Sequence, residues 1–166
     1  YIATFMAMLC SVAIPVQSQI RLCADNPHYL SYQNKPIILI TAAEHYGALI
    51  NTGFDYVAYL DALQKRGMNY TRIFSGAYVE GEKDIEWMGY HNTLAPKPGR
   101  LITPWKRSNV PGYVNGGNKF DLDQWDEAYF TRIKDILRRA AEKNIIVELT
   151  LFGNQYGDNI YAWSPL

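Results

Sequence analysis

Residues 69–76 read NYTRIFSG. A run rich in Thr, Ile and Phe, bounded by Gly67-Met68 before it and Ser75-Gly76 after it, has the composition of a buried strand. Arg72 stands in its middle. A guanidinium cannot shed its charge, so it is seldom buried without a carboxylate or several acceptors around it. The stretch predicts a strand, and with it a partner for Arg72.

Working outward, the preceding segment reads as a helix. Asp55 is a plausible N-cap, Tyr56, Tyr59, Leu60 and Leu63 fall on one stripe, and Gly67 ends it. Further upstream, His28-Tyr29-Leu30-Ser31-Tyr32, then Gln33-Asn34-Lys35, then Pro36 form a hairpin pattern that leads into Ile37-Ile38-Leu39-Ile40. This last run does not alternate, which suits a strand covered on both faces. Downstream, a helix is predicted over residues 123–143, with Phe130, Ile133, Leu137, Ala140 and Ala141 inward, acids at its start and Arg138, Arg139 and Lys143 towards its end. Residues 145–152, IIVELTLF, are the third strand.

Strand, helix, strand, helix, strand implies a parallel sheet with right-handed crossovers. Two architectures begin this way. A doubly wound dinucleotide-binding sheet wants a Gly-rich turn after its first strand. Here that turn is Thr41-Ala42-Ala43-Glu44-His45-Tyr46-Gly47, whose one glycine and acidic residue suit phosphate poorly. The other is an eight-fold βα barrel, which typically needs about 250 residues. The expected fold class is therefore α/β, a (β/α)8 TIM barrel with only its first three βα units present, preceded by a short N-terminal hairpin.

Composition narrows the partner. The chain has 166 residues, formal net charge zero and 48% hydrophobic residues, ordinary for one globular domain. Lys and Arg balance Asp and Glu, with no basic run longer than a pair such as Arg138-Arg139, so a nucleic-acid partner is not expected. Residues 1–19, YIATFMAMLCSVAIPVQSQ, carry no charge and run apolar from Ile2 to Val16, which reads as a secretory signal peptide. The run is short for a membrane span. Residues 20–166 are then expected to be secreted, extracellular or periplasmic, with no membrane contact after signal removal. Loss of Cys10 with the signal leaves Cys23 alone, unable to form an internal disulfide. The chain starts on Tyr and stops at Ser164-Pro165-Leu166 in a loop, so a fragment is expected.

In both architectures ligands gather at the carboxyl ends of the strands. The first such end offers Glu44, His45 and Tyr46; the second offers Arg72, Phe74 and Ser75; the third runs into Asn154, Gln155, Tyr156 and Asp158. Residues 75–122 form a connection far longer than the usual 2 to 6 residues or so. It carries Tyr78, Trp87, Tyr90, Trp105 and Tyr113 among Glu80, Glu82, Asp84, Glu86 and His91. Aromatic faces can lie against the C–H faces of a sugar while carboxylates and amides bind its hydroxyls. An uncharged carbohydrate is the partner this pattern suggests, with Glu44, His45, Tyr46, Arg72, Phe74, Tyr78, Trp87, Asn154 and Tyr156 as its candidate contacts.

The runs DNPHYLSYQNKPIILITAAEHYGALIN, MNYTRIFSG and FDLDQWDEAYFTRIKDILRRAAEKNIIVELTLFG resemble the first third of a cellulase-like glycoside hydrolase, from the large clan of (β/α)8 barrels that retain anomeric configuration. In that clan an arginine of the second strand hydrogen-bonds the nucleophilic carboxylate, and Arg72 matches it by position. Relatives often have Gly in the hairpin turn, where this chain has Asn34. Retaining enzymes need two carboxylates about 5 to 5.5 Å apart. The resemblance implies that these come from the fourth and seventh strands, beyond Leu166. On that reading the full-length protein hydrolyses O-glycosidic bonds, while the isolated chain, lacking the pair, is inactive and poorly stable.

Plainer readings stand beside these. Glu44 can be a helix-start acid and His45 a structural hydrogen-bonder; Glu148 can point inward or pair with a base at the rim; the loop tryptophans can simply pack the loop down. Asn69-Tyr70-Thr71 is formally a glycosylation sequon, but in a buried strand. Asn115-Gly116-Gly117-Asn118 reads as a tight turn. Three scattered histidines give no metal-ligand spacing, and no cofactor is expected. Two rivals remain: a catalytically silent carbohydrate-binding barrel, and a secreted α/β hydrolase or nucleotide-binding domain of the doubly wound type.

Overall fold

The structure, a computed structural model, describes residues 20–41, 44–45, 47–155 and 157–166, with Glu44 and His45 placed by their backbone alone. The expected signal peptide, residues 1–19, lies outside the described residues, as do Tyr46 and Tyr156. Among the described residues no helix is long and apolar enough to cross a membrane. The described residues divide into two compact units, one ending at Ile38 and one running from Leu39 to Leu166.

The first unit holds an antiparallel sheet of β1 (Arg21–Leu22), β2 (Leu30–Tyr32) and β3 (Lys35–Ile37), in that order. The hairpin expected around Gln33-Asn34 is present. Both residues have positive φ, 51° and 60°, as a two-residue type I′ turn requires. Asn tolerates that region better than most residues, which explains its use where glycine is common. The strand expected at residues 37–40 is not formed. β3 ends at Ile37, and Ile38 and Ile40 stay more than half exposed.

The second unit runs β4 (Glu44–His45), α1 (Gly47–Ile50), α2 (Tyr56–Lys65), β5 (Tyr70–Phe74), a 3-10 turn at Glu86–Met88, β6 (Trp105–Pro111), β7 (Asn118–Trp125), α3 (Glu127–Glu142), β8 (Ile146–Thr150) and α4 (Asp158–Trp163). β4, β5 and β8 form a parallel sheet in that order, with Tyr70 opposite Ile146 and Phe74 opposite Thr150. β6 and β7 form a separate antiparallel pair.

The barrel expectation is thus corrected. Among the described residues the parallel strands make one open, three-stranded sheet, accompanied by two small antiparallel sheets and four helices, and no barrel closes. Closure needs strands of matched length that tilt and pair all the way round. Here β4 has two residues, and the connection from β5 to α3 is interrupted by the β6–β7 hairpin, so regular βα alternation is not kept.

The hairpin also explains why α3 begins at Glu127 and not at residue 123. Residues 118–125 are held by β6, and the helix starts only where the Asp126 carboxylate accepts a hydrogen bond from Ala128 N at 2.9 Å. α2 follows its expectation closely: Asp55 accepts from Ala58 N at 2.9 Å, and beyond its last turn Gly67 takes φ of 71° while Met68 N donates to Leu63 O. Asn144, at φ 56°, ends α3 in the same manner.

Thr71 and Ile73 of β5 are buried, with Ile73 in a core shared with Leu49, Ile50, Val79 and Ile136. A second cluster joins Leu60 and Leu63 of α2 to Ala140 of α3 and to Ile145. Arg132 of α3 ties these elements together. Its Nε donates to Leu49 O at 2.8 Å, and its Nη2 donates to Ala48 O, Asn51 O and Phe54 O at 3.1, 2.9 and 3.2 Å. Ala48 O and Leu49 O are carbonyls that a four-residue helix leaves without partners of its own, while Asn51 O and Phe54 O also accept from Phe54 N and Tyr56 N.

Candidate functional site

Arg72 meets its carboxylate inside the chain. Its Nε donates to Glu148 Oε1 at 2.7 Å, and the Tyr70 hydroxyl donates to Glu148 Oε2. Strand register explains the meeting, since Arg72 and Glu148 are opposite each other on β5 and β8 and side chains at one level of a parallel sheet share a face. Glu44 of β4 stands at the same level on the other side of Arg72, and His45 stands opposite Ile73. The backbone therefore places Glu44, Arg72 and Glu148 in one row across the sheet.

The row is half open to solvent. Arg72 and Glu148 side chains are 42% and 45% exposed. The Tyr70 phenol holds Glu148 below the ordinary carboxylate range, helped by Arg72 and opposed by burial. Tyr70 is itself pushed up, by burial first and then by the adjoining carboxylate. Because the folded value of Glu148 is lowered, its stabilising contribution is complete above an unfolded value of about 4.3 and is lost as pH falls through the folded value. Replacing Glu148 by Gln is expected to cost ~1 kcal/mol or less near neutrality, given the exposure, and still less in acid. Urea titrations of both proteins at neutral pH and below about pH 3 check this; a gap between them that does not narrow in acid counts against it.

Past β5 the chain turns inward. Phe74 and Tyr78 are buried, 5.7 Å apart between ring centroids, and share a cluster with Ile160. The Tyr78 ring lies beneath Gly153, where a Cβ would come within 3.1 Å of it. The Tyr78 hydroxyl donates to Glu80 Oε1 at 2.5 Å, and Asn92 Nδ2 donates to Glu80 Oε2 at 3.4 Å. Glu80 is only 3% exposed, so this carboxylate lives on hydrogen bonds and not on water.

The candidate contacts read from sequence thus separate into groups. Arg72, Phe74 and Tyr78 come together along β5 and the turn after it, with Phe74 and Tyr78 as buried support. Trp87 stands apart in the 3-10 turn, 71% exposed. Asn154 is exposed after β8. Glu44 and His45 are located by register only, and Tyr46 and Tyr156 lie outside the described residues. Tyr70, Glu80, Asn92 and Trp163 were not singled out from sequence as site residues. For Tyr70 the signal is present, because it sits two residues before Arg72 and so on the same strand face. Among the described residues no group of three or more His, Cys, Asp or Glu side chains could hold a metal ion.

No family model matches the chain, and no curated protein matches it in sequence. Its fold is similar to part of a crystal structure of a "putative glycoside hydrolase" from Bacteroides vulgatus, with a TM-score of 0.58 and 13% identity. The match covers 82% of this chain and 24% of that protein. The two share a fold over that length. The chain spans about a quarter of the protein it matches.

Proposed function

We propose that the chain belongs to a secreted glycoside hydrolase that cleaves O-glycosidic bonds of an oligo- or polysaccharide with retention by double displacement. The observation that carries this reading is the fold likeness to the Bacteroides protein over most of the chain. The residues are consistent with a neutral, hydroxyl-rich ligand: formal net charge is zero, and the segment after β5 carries exposed Trp87 and Tyr90 beside amides and carboxylates. An uncharged leader of signal-peptide pattern at residues 1–19 supports export. On this reading Arg72, oriented by Glu148, supplies a fixed cation near the reacting carboxylates, Trp87 and Asn154 offer surface contacts to sugar, and Phe74 and Tyr78 set the shape of the wall from behind.

Full-length protein incubated with oligosaccharides is expected to release reducing sugar. Proton NMR of the first-formed product is expected to show the anomer of the substrate, the outcome of two successive displacements. Inversion would overturn the mechanism. Absence of hydrolysis across glucan, xylan, mannan and galactan oligosaccharides would overturn the activity.

A further inference from the structure

A cleft of about 330 Å³ is lined by residues 81–84, residues 95–98, residues 114–115 and Trp163. Its size is at the lower end for small-molecule sites and suits one ring. Asn115 lines it and is 7% exposed. Both hydrogen bonds of the Asn115 side chain use Nδ2, which donates to Pro96 O at 3.1 Å and Lys97 O at 3.5 Å. Its Oδ1 has no protein donor among the described residues. A buried amide oxygen without a partner costs free energy unless a ligand or water supplies a donor.

Trp163 brings the complementary group. Its backbone oxygen accepts from the Tyr113 hydroxyl at 2.5 Å, and the two rings stand perpendicular with centroids 6.5 Å apart. Gly81 lets the turn close against the indole, because a Cβ there would overlap the ring and fall 2.9 Å from Nε1. The indole N–H has no protein acceptor among the described residues. One cleft therefore carries an unmatched acceptor and an unmatched donor beside an aromatic surface.

The rim cancels its own charge. Lys97 Nζ meets Glu82 Oε2 at 2.7 Å, while Asp84 accepts from Gly81 N at 2.7 Å and from Asn159 Nδ2 at 2.9 Å. An ion gains little there. A sugar hydroxyl can donate to Asn115 Oδ1 and accept from Trp163 Nε1–H, and the C–H face of the ring can lie on the indole.

We propose that this cleft is a subsite for a single neutral sugar ring, read by Asn115 and Trp163. The proposal rests on the glycoside hydrolase reading for its ligand class. The test follows the Trp163 indole N–H resonance of the full-length protein, assigned with Trp163→Phe, during titration with the methyl glycosides of glucose, galactose, xylose and rhamnose. At least one is expected to shift it saturably, with a Kd on the order of 1 mM. Asn115→Ala is expected to weaken that binding about tenfold. Asn115 also holds the 96–97 backbone, so Trp163→Phe, which removes the N–H and leaves that backbone alone, serves as the second variant, its weakening read by saturation-transfer NMR of the glycoside. A resonance that stays still, or that glycerol moves equally, overturns the subsite, the latter by showing that water or any polyol fills it. Hydrolysis without a shift removes the subsite and leaves the enzyme reading standing. A saturable shift without hydrolysis does the reverse.

Discussion

Replacing Arg132 by methionine is expected to lower stability by about 2 to 4 kcal/mol, a large part of the margin of a small domain. The guanidinium donates to four backbone carbonyls at residues 48, 49, 51 and 54, and its carbon lies 4.6 Å from the Tyr56 ring centroid. Methionine fills much of the same space and supplies no donor. Of the four, Ala48 O and Leu49 O belong to α1, whose residues are all buried, so water reaches them poorly, while Asn51 O and Phe54 O keep the N–H groups of Phe54 and Tyr56. Lysine should recover only part of the loss, because a single ammonium on a flexible stem cannot copy a planar fork that engages carbonyls through both Nε and Nη2. The measurement is the urea midpoint of each variant at unchanged slope. A loss within about 0.5 kcal/mol of wild type, the usual size for a surface substitution, would show that these carbonyls are satisfied otherwise.

The need for such partners was partly legible in the sequence. Arg72, in a strand of Thr, Ile and Phe, announces that it requires a carboxylate. Which carboxylate was not legible, because Glu148 lies 76 positions away and only strand register brings the two to one level. α2 could be placed from its cap, its stripe and Gly67, all local features, and it formed as expected. The start of α3 could not, since Asp121, Asp123 and Asp126 are equally suitable caps and the choice among them is made by pairing with β6. The apolar run at residues 37–40 has strand composition, but its ladder with β2 ends at Ile37, and Ile40 instead bonds the backbone and side chain of Asn69. Barrel closure is the extreme of the same kind, a relation between first and last strands about which periodicity along the chain says nothing. Aromatic residues in the long connection show the limit at the site. Tyr78 and Trp87 look alike in sequence, yet one is buried under Gly153 and the other stands in solvent.

That burial makes Glu80 the second sensitive position. Glu80→Ala is expected to cost about 2 to 4 kcal/mol, because it strips the acceptor from two donors, the Tyr78 hydroxyl and the Asn92 amide, in a place water does not reach. Glu80→Gln is the informative companion. It keeps the shape and one carbonyl oxygen, so one donor remains matched while the new amide opposes the other, and a loss of about half that size follows. If the effect runs through Tyr78, then Tyr78→Phe and Glu80→Gln combined should cost less than the sum of the two separately, since each already removes the shared hydrogen bond. Strict additivity would mean that Glu80 and Tyr78 are held independently, and the carboxylate would then need another source of stabilisation. The same cycle bears on the site, because Phe74 and Tyr78 carry the backbone of residues 74–80 from the Arg72 row towards the Trp163 cleft. Sugar binding that weakens in Glu80→Gln in proportion to lost stability would mark this buried network as the support on which both surfaces stand.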